Sequence, residues 1–254
     1  MNREFDLSLA CYGHVKDNVY DLAILPWGAT EPHNLHLPYL TDCILSHDIA
    51  VDASLKAWEQ YGVRCMVMPY VTMGSQNPGQ RELSFCVHSR YETQKAILTD
   101  IVSSLYAQGI RKLVIVNGHG GNCFKNMIRD LSIDYHDFLI ASSEWYKVLP
   151  VKDYFESPGD HADEVETSVM MHYHPELVDM RLAGEGKYTP FAIETLRSNV
   201  AWIPRNWQMV STDTGIGDPK LATAEKGKHF AEAVCDRYAQ LFKELVKDDI
   251  YQSI

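Results

Sequence analysis

The chain has 254 residues, of which 46% are hydrophobic and 22% charged, with a formal net charge of -11. Such a composition suits one large α/β domain or two small ones, and the acidic balance argues against nucleic-acid or anionic-membrane surfaces, which need basic patches. The cysteines at 11, 43, 65, 86, 123 and 235 form no CxxC pair, so neither a zinc ribbon nor a disulfide framework is indicated and a reducing cytosol fits. The N-terminal Met1-Asn2-Arg3-Glu4-Phe5-Asp6 carries charges where a signal peptide needs an apolar run. No stretch approaches membrane-spanning length. A cytoplasmic protein with no membrane partner is expected, and the lack of repeats or a Pro/Ser-rich linker points to one domain over residues 1–254.

In chain order, Leu22 to Leu25 read as a strand, Ile44 to Tyr61 carry helical spacing, and Val63 to Tyr70 form a second strand. Tyr91 to Gln108 make an amphipathic helix stopped by Gly109. Lys112 to Val116 are a third strand, rich in β-branched residues that pack well on a sheet. Asn122, placed as an N-cap, opens a helix to about Leu131. Phe138 to Ser142 are a fourth strand. Helices follow from Asp163 to Tyr173 and from about Leu221 to Val246. Alternating strands and helices predict an α/β fold, a parallel-rich sheet covered on both faces. Residues Asp179 to Asp218 are irregular and fit a lid or a subunit contact.

Three motifs carry chemistry. The first, Leu25-Pro26-Trp27-Gly28-Ala29-Thr30-Glu31-Pro32-His33-Asn34-Leu35-His36-Leu37-Pro38 with Thr41-Asp42, begins at the carboxyl end of the first strand. Glu31 and His33 are two apart, so an extended segment points them the same way. Carboxylate with imidazole is a ligand set for zinc or manganese. Asp42 starts the next helix, with Thr41 as its cap, where the helix dipole favours a carboxylate. The second motif is Asn117-Gly118-His119-Gly120-Gly121-Asn122. Its glycines allow a sharp turn and leave space beside His119, at the strand end where open α/β sheets keep their sites. The third, Asp160-His161-Ala162-Asp163-Glu164-Val165-Glu166-Thr167-Ser168, crowds carboxylates at a helix start. Asp163 and Glu164 suit the first-turn dipole. Glu166, a turn further in beside Val165 and Val169, needs a partner. His161 precedes the helix and is free to face a substrate.

Together these blocks resemble the creatininase (creatinine amidohydrolase) family. The likeness rests on Leu25 to Asp42, Asn117 to Asn122 and His161…Glu166-Thr167-Ser168, with a weaker echo at Thr214-Gly215-Ile216-Gly217-Asp218-Pro219. It implies a three-layer α/β/α hydrolase with two divalent metal ions, zinc and/or manganese with iron also admissible, and frequently a homohexamer. By position, Glu31 and His119 would hold one metal, His33 the other, and Asp42 would bridge. Glu166 would supply the remaining ligand and His161 would be catalytic. In the creatinine-hydrolysing branch a glutamate two residues after the loop histidine serves in place of Glu166; that position here is Gly121. The implied activity is attack of a metal-activated water on a C–N amide bond in a small-molecule substrate.

The chain departs from the pattern around the pocket. Relatives carry a Glu-His pair and Pro-Gly-Thr where this chain has Gln76-Asn77 and Arg81-Glu82-Leu83, and a tryptophan four residues before the catalytic histidine where this chain has Ser157. The ligands are kept and the pocket is altered. A cyclic amide or formamide-type substrate, larger and more polar than creatinine, is expected, with Trp145 covering the pocket and Arg81 meeting an anionic group. His36 could orient Glu31 or pack. The competing class is a non-catalytic metal-binding or structural homologue of the same fold.

Overall fold

The computed structural model describes residues 4–251. Residues 1–3, part of the charged N-terminal stretch, lie outside the described residues. Strands β1 (Leu22–Trp27), β2 (Cys65–Val67), β3 (Lys112–Asn117) and β4 (Leu139–Glu144) form one sheet in the order β2-β1-β3-β4, with every pairing parallel. The helices in chain order are α1 (Tyr12–Val15), α2 (Thr41–Tyr61), α3 (Tyr91–Ala107), α4 (Lys125–Asp134), α5 (Glu164–Tyr173), α6 (Glu194–Arg197), α7 (Trp207–Val210) and α8 (Ala224–Lys247). Of these, α1, α6 and α7 are single turns.

The strands that read as continuous apolar runs are buried on both faces, as a parallel sheet requires. Leu22, Ile24, Val114 and Val116 face a core built with α2, α5 and α8. Ala23, Leu25, Trp27, Leu113 and Ile115 face α3 and α4 on the other side. Alternate residues of one strand therefore serve two cores, and the three-layer α/β/α arrangement is as expected. The chain leaves β1 through α2 toward β2, and leaves β3 through α4 toward β4, on opposite faces of the sheet. The crevice where crossovers diverge thus lies at the carboxyl ends of β1 and β3, which is where ligands bind in open parallel sheets.

Several boundaries moved for physical reasons. β2 has β1 as its one strand partner among the described residues and a single bridge from Asp6 to Val67 on its other side, and it pairs with β1 over Cys65–Val67 where Val63 to Tyr70 was expected. Pro26, inside β1, lies beyond the register point Ile24↔Val67, so its missing N–H faces no β2 residue. Helix α2 begins at Thr41 with Leu40 as N-cap. The Thr41 hydroxyl donates to the Pro38 carbonyl at 2.7 Å and caps nothing. Helix α4 begins at Lys125, so Asn122 is no N-cap. Its amide instead brackets three loops. Nδ2 donates to Gly28 O (3.2 Å) and Asn117 Oδ1 (3.0 Å), while Oδ1 accepts from Ser75 N (3.1 Å) and Gln94 Nε2 (2.8 Å). Gly109 does end α3, at φ +87. All six cysteines are free, and no helix among the described residues is long and apolar enough to cross a membrane.

Candidate metal centre and active site

The loop after β1 carries Glu31 and His33, the first turn of α2 carries Asp42, and the loop after β3 carries His119. The turn before α5 brings His161, and α5 brings Glu166. The structure gathers all six in the crevice. Three sets of donor atoms lie close enough to share an ion: Glu31, Asp42 and His119; His33, Asp42 and Glu166; and Glu31, His33 and His161. Asp42 stands between two of these sets. Its Oδ1 is 2.9 Å from His33 Nε2 and its Oδ2 is 3.2 Å from His119 Nδ1. Glu31 Oε1 is 2.8 Å from His119 Nδ1 and 3.8 Å from His161 Nδ1.

The backbone decides the tautomers. A carbonyl can only accept, so a ring nitrogen bonded to one carries the proton. His33 Nδ1 donates to the Glu31 carbonyl (3.0 Å), His119 Nε2 to Ser75 O (2.8 Å) and His161 Nε2 to Pro32 O (2.9 Å). The remaining nitrogen of each ring is left facing carboxylate oxygen. Lone pair against carboxylate is repulsive unless a proton or a metal cation lies between. Asp42 Oδ2 is fully buried and finds no hydrogen bond, which marks the same demand for a cation. The donor set therefore fits divalent metal, and histidines tied to carbonyls by their second nitrogen are the usual support for such sites.

Protons answer the demand in the electrostatics of the bare chain. Burial alone would push His33 down, but the Asp42 charge and hydrogen bond raise it to about 10. His119 is likewise raised well above the ordinary value, Glu31 and Asp42 outweighing burial. Burial would raise Glu31 and Asp42, yet the neighbouring imidazoles hold both below the usual carboxylate range. Glu166, whose Oε2 accepts from Ala162 N at 2.5 Å, is pushed by burial up to about 8. His161 is lowered by burial and by the His33 charge.

The surroundings correct several expectations. Trp145 is fully buried, its ring packed on Tyr146 and Phe230 in the core, so it does not cover the pocket. Arg81 is 68% exposed beside Glu82 and lies off the cavity lining. The cavity over the ligands, about 750 Å³, takes its aromatic character from Tyr146, Trp202 and Trp207, and its two cations, Lys147 and Arg205, are each paired with a carboxylate, Glu144 and Asp160. Trp207 meets His161 edge to face at 5.4 Å between centroids, and Arg205 lies over the Trp207 ring at 5.1 Å. Trp202, Arg205 and Trp207 belong to the irregular Asp179 to Asp218 segment, for which a lid or a subunit contact was expected. His36 does not touch Glu31; its Nε2 pairs with Thr167 Oγ1 at 2.8 Å, and burial lowers it to about 4. Asp163 is the N-cap of α5, accepting from Val165 N and Glu166 N. Glu164, expected to serve only the dipole, is completely buried and held by Lys226 Nζ at 2.7 Å. Gln80, which the sequence reading passed over, donates to Glu31 Oε2 at 2.6 Å.

The glycine loop also shows why no ligand comes from position 121. A Cβ on Gly121 would lie 2.0 Å from Ser75 O and 2.5 Å from His119 Nε2, and would break the bond that orients His119. Glu166 is the carboxylate whose oxygen lies within reach of His33 and Asp42.

The family model for creatininase (creatinine amidohydrolase) matches residues 13–242. The chain belongs to the creatininase family. A crystal structure from Bacteroides fragilis NCTC 9343, assigned as a creatinine amidohydrolase, is 60% identical over 99% of this chain and 100% of that one, with a TM-score of 0.98. The 3-dehydro-scyllo-inosose hydrolase of Thermotoga maritima is 26% identical over 89% of this chain and 78% of its own length. The mycofactocin precursor peptide peptidase of Mycobacterium tuberculosis is 29% identical over 84% of this chain and 81% of its own. A manganese creatininase shares the fold at 21% identity and a TM-score of 0.72, covering 89% of this chain and 91% of that one. Family membership supports a hydrolase at the level of reaction class.

Proposed function

We propose that this creatininase-family protein is a metal-dependent amidohydrolase that cleaves a C–N amide bond in a cyclic amide or formamide-type substrate larger and more polar than creatinine. The observation that carries the reading is the convergence, at the floor of one cavity, of histidine lone pairs and buried carboxylates around Asp42. Glu31, Asp42 and His119 would hold one divalent ion, and His33, Asp42 and Glu166 a second; zinc or manganese suits imidazole mixed with carboxylate. Two such ions supply Lewis acidity that lowers the pKa of water toward neutrality and polarises a carbonyl.

The chain's own residues do the rest. His161 Nε2 is tied to Pro32 O, so Nδ1 is its free acceptor. With its pKa lowered, the ring is neutral near pH 7 and ready to take a proton, then return it to the leaving nitrogen. Trp207 holds that ring from the side. Tyr146 and Trp202 give the cavity apolar walls, and Lys147 and Arg205, held by Glu144 and Asp160, are the cations a polar or anionic substituent would draw from those partners. The roomy cavity and the absence of a side chain at 121 set this pocket apart from one built for a small planar ring. Self-association is part of the reading, since Val200, Trp202 and Met209 are more than 70% exposed on the segment that rims the cavity, and exposed apolar clusters mark contact surfaces.

The test is turnover by zinc- or manganese-loaded protein across a panel of cyclic amides, formamides and short peptides, with creatinine included. Metal-dependent hydrolysis of a panel amide, with kcat/KM for creatinine below about 10⁴ M⁻¹s⁻¹, the lower end of ordinary enzyme efficiency, is expected. Creatinine as the preferred substrate would refute the substrate part. No metal-dependent hydrolysis of any amide would favour the non-catalytic homologue.

A further inference from the structure

We infer that Gln80 is a positioning residue that leaves the Glu31 carboxylate only one oxygen to offer the metal centre; the inference rests on the metal-hydrolase reading above. Gln80 is 2% exposed, and both ends of its amide are committed. Its Oε1 accepts from the backbone N–H of Asn77 at 2.8 Å. An N–H can bond only to the carbonyl end, so the NH₂ end is fixed toward Glu31, where Nε2 donates to Oε2 at 2.6 Å. Glu31 Oε1, the other oxygen, is the one that faces His119 Nδ1 at 2.8 Å. The carboxylate is thus divided: one oxygen to the amide, one to the ion site.

The turn that presents Gln80 is anchored twice more. Gln80 N donates to Asn77 O at 3.1 Å, and Trp207 N donates to Pro78 O at 2.7 Å. Gly79 between them sits at φ +87, a conformation that favours glycine, and a Cβ there would press on Asn206 Oδ1 at 3.0 Å and Gln208 N at 3.1 Å. Gln80 therefore joins the metal ligand Glu31 to the segment that walls the cavity. A hydrogen bond to an ionised carboxylate is among the stronger neutral-to-charged contacts. Without it, Glu31 is free to turn and present both oxygens.

Gln80→Met removes both bonds at similar length. Gln80→Glu keeps an acceptor for Asn77 N–H and, once its new carboxyl is ionised, replaces the donor to Glu31 by a repelling charge. Read from about pH 6 to 9, so that a proton shared between the two carboxylates shows as a pH-dependent spectrum, it separates the ligand effect from closure of the turn. Wild type and both variants are loaded with zinc against a competing chelator and, separately, with cobalt(II). The expected results are a zinc dissociation constant raised about 10–100-fold in Gln80→Met, the usual cost of losing a partner behind a metal ligand, and in both variants a change in the cobalt visible bands. In Gln80→Met the bands weaken, because an added carboxylate oxygen raises the coordination number. A purely structural role would lower thermal stability and leave the cobalt spectrum of the folded fraction unchanged; that result in Gln80→Glu overturns the inference, including when Gln80→Met fails to fold. Wild-type protein that takes up neither ion would instead overturn the metal reading on which the inference stands.

Discussion

Gly118→Ala tests how tightly the glycine loop is built against the bridging carboxylate. A Cβ at 118 would lie 2.2 Å from the Asp42 carbonyl oxygen, 2.9 Å from its carbonyl carbon and 3.1 Å from its Cα. Ordinary contact is about 3.5 Å, so either the loop or the first turn of α2 must withdraw by about 1 Å. Neither moves freely. The loop is held to β1 by Gly118 N donating to Trp27 O at 2.8 Å, and α2 is packed between the sheet and α8. Overpacking of this kind costs about 1–3 kcal/mol, and for a chain of this size each kcal/mol lowers the melting temperature by about 2–4 °C. The displaced atoms are the backbone of Asp42 itself, whose two oxygens sit 2.9 and 3.2 Å from the two histidines, so metal binding suffers as well as stability. Thermal unfolding of the metal-free protein and chelator competition for zinc measure the two effects separately. The variant is expected to melt lower and to hold zinc at least about 10-fold more weakly. Wild-type melting and wild-type affinity together would refute the packing argument.

Asn122→Ala leaves four partners without their bonds, and since each buried unsatisfied group costs about 1–3 kcal/mol, thermal unfolding should show one of the largest losses for a single polar truncation in this chain; a change under about 0.5 kcal/mol would contradict the bracket role. In metal-free protein His33 (about 10) and His119 are raised, so their stabilising contribution is present below the unfolded value of about 6.5 and fades as pH climbs toward 10. Zinc must displace those protons, so its affinity has the opposite slope and strengthens with pH, with proton uptake by the buffer measurable in calorimetry; a pH-independent affinity between 6 and 9 would contradict the assignment. His161→Gln should keep its metal and lose about 10²–10⁴-fold in turnover; loss of metal would place His161 among the ligands, as its closeness to Glu31 and His33 also allows. Trp207→Ala should raise KM for an active amide more than it lowers kcat, read from steady-state kinetics.

The layers of this fold were legible because strand and helix alternate and because the apolar runs at 22–25 and 113–116 suit a doubly covered sheet. The candidate ligand residues were legible because each follows a strand or lies at the start of a helix, and resemblance to a family put them in order. What sequence spacing did not carry was everything that depends on distant segments meeting. Trp145 sits just past β4 and suggested a pocket wall, but its side chain turns to Phe230 on α8, while Tyr146 beside it takes the cavity side. Arg81 follows Gln80 on the same turn, yet only Gln80 points inward. Arg205 and Trp207 come from an irregular segment with no period to read. Asn122 looked like a cap because Asn favours caps; four partners, three of them outside its own loop, outweighed that local preference.

The central claim is a two-ion centre bridged by Asp42, and metal stoichiometry tests it most directly. Protein purified without chelators, or stripped and titrated with zinc, should hold about two divalent ions per chain by elemental analysis, and Asp42→Ala should lose both together because one carboxylate serves both sites. A wild-type protein that stays metal-free through reconstitution, or an Asp42→Ala variant that retains two ions, would contradict it.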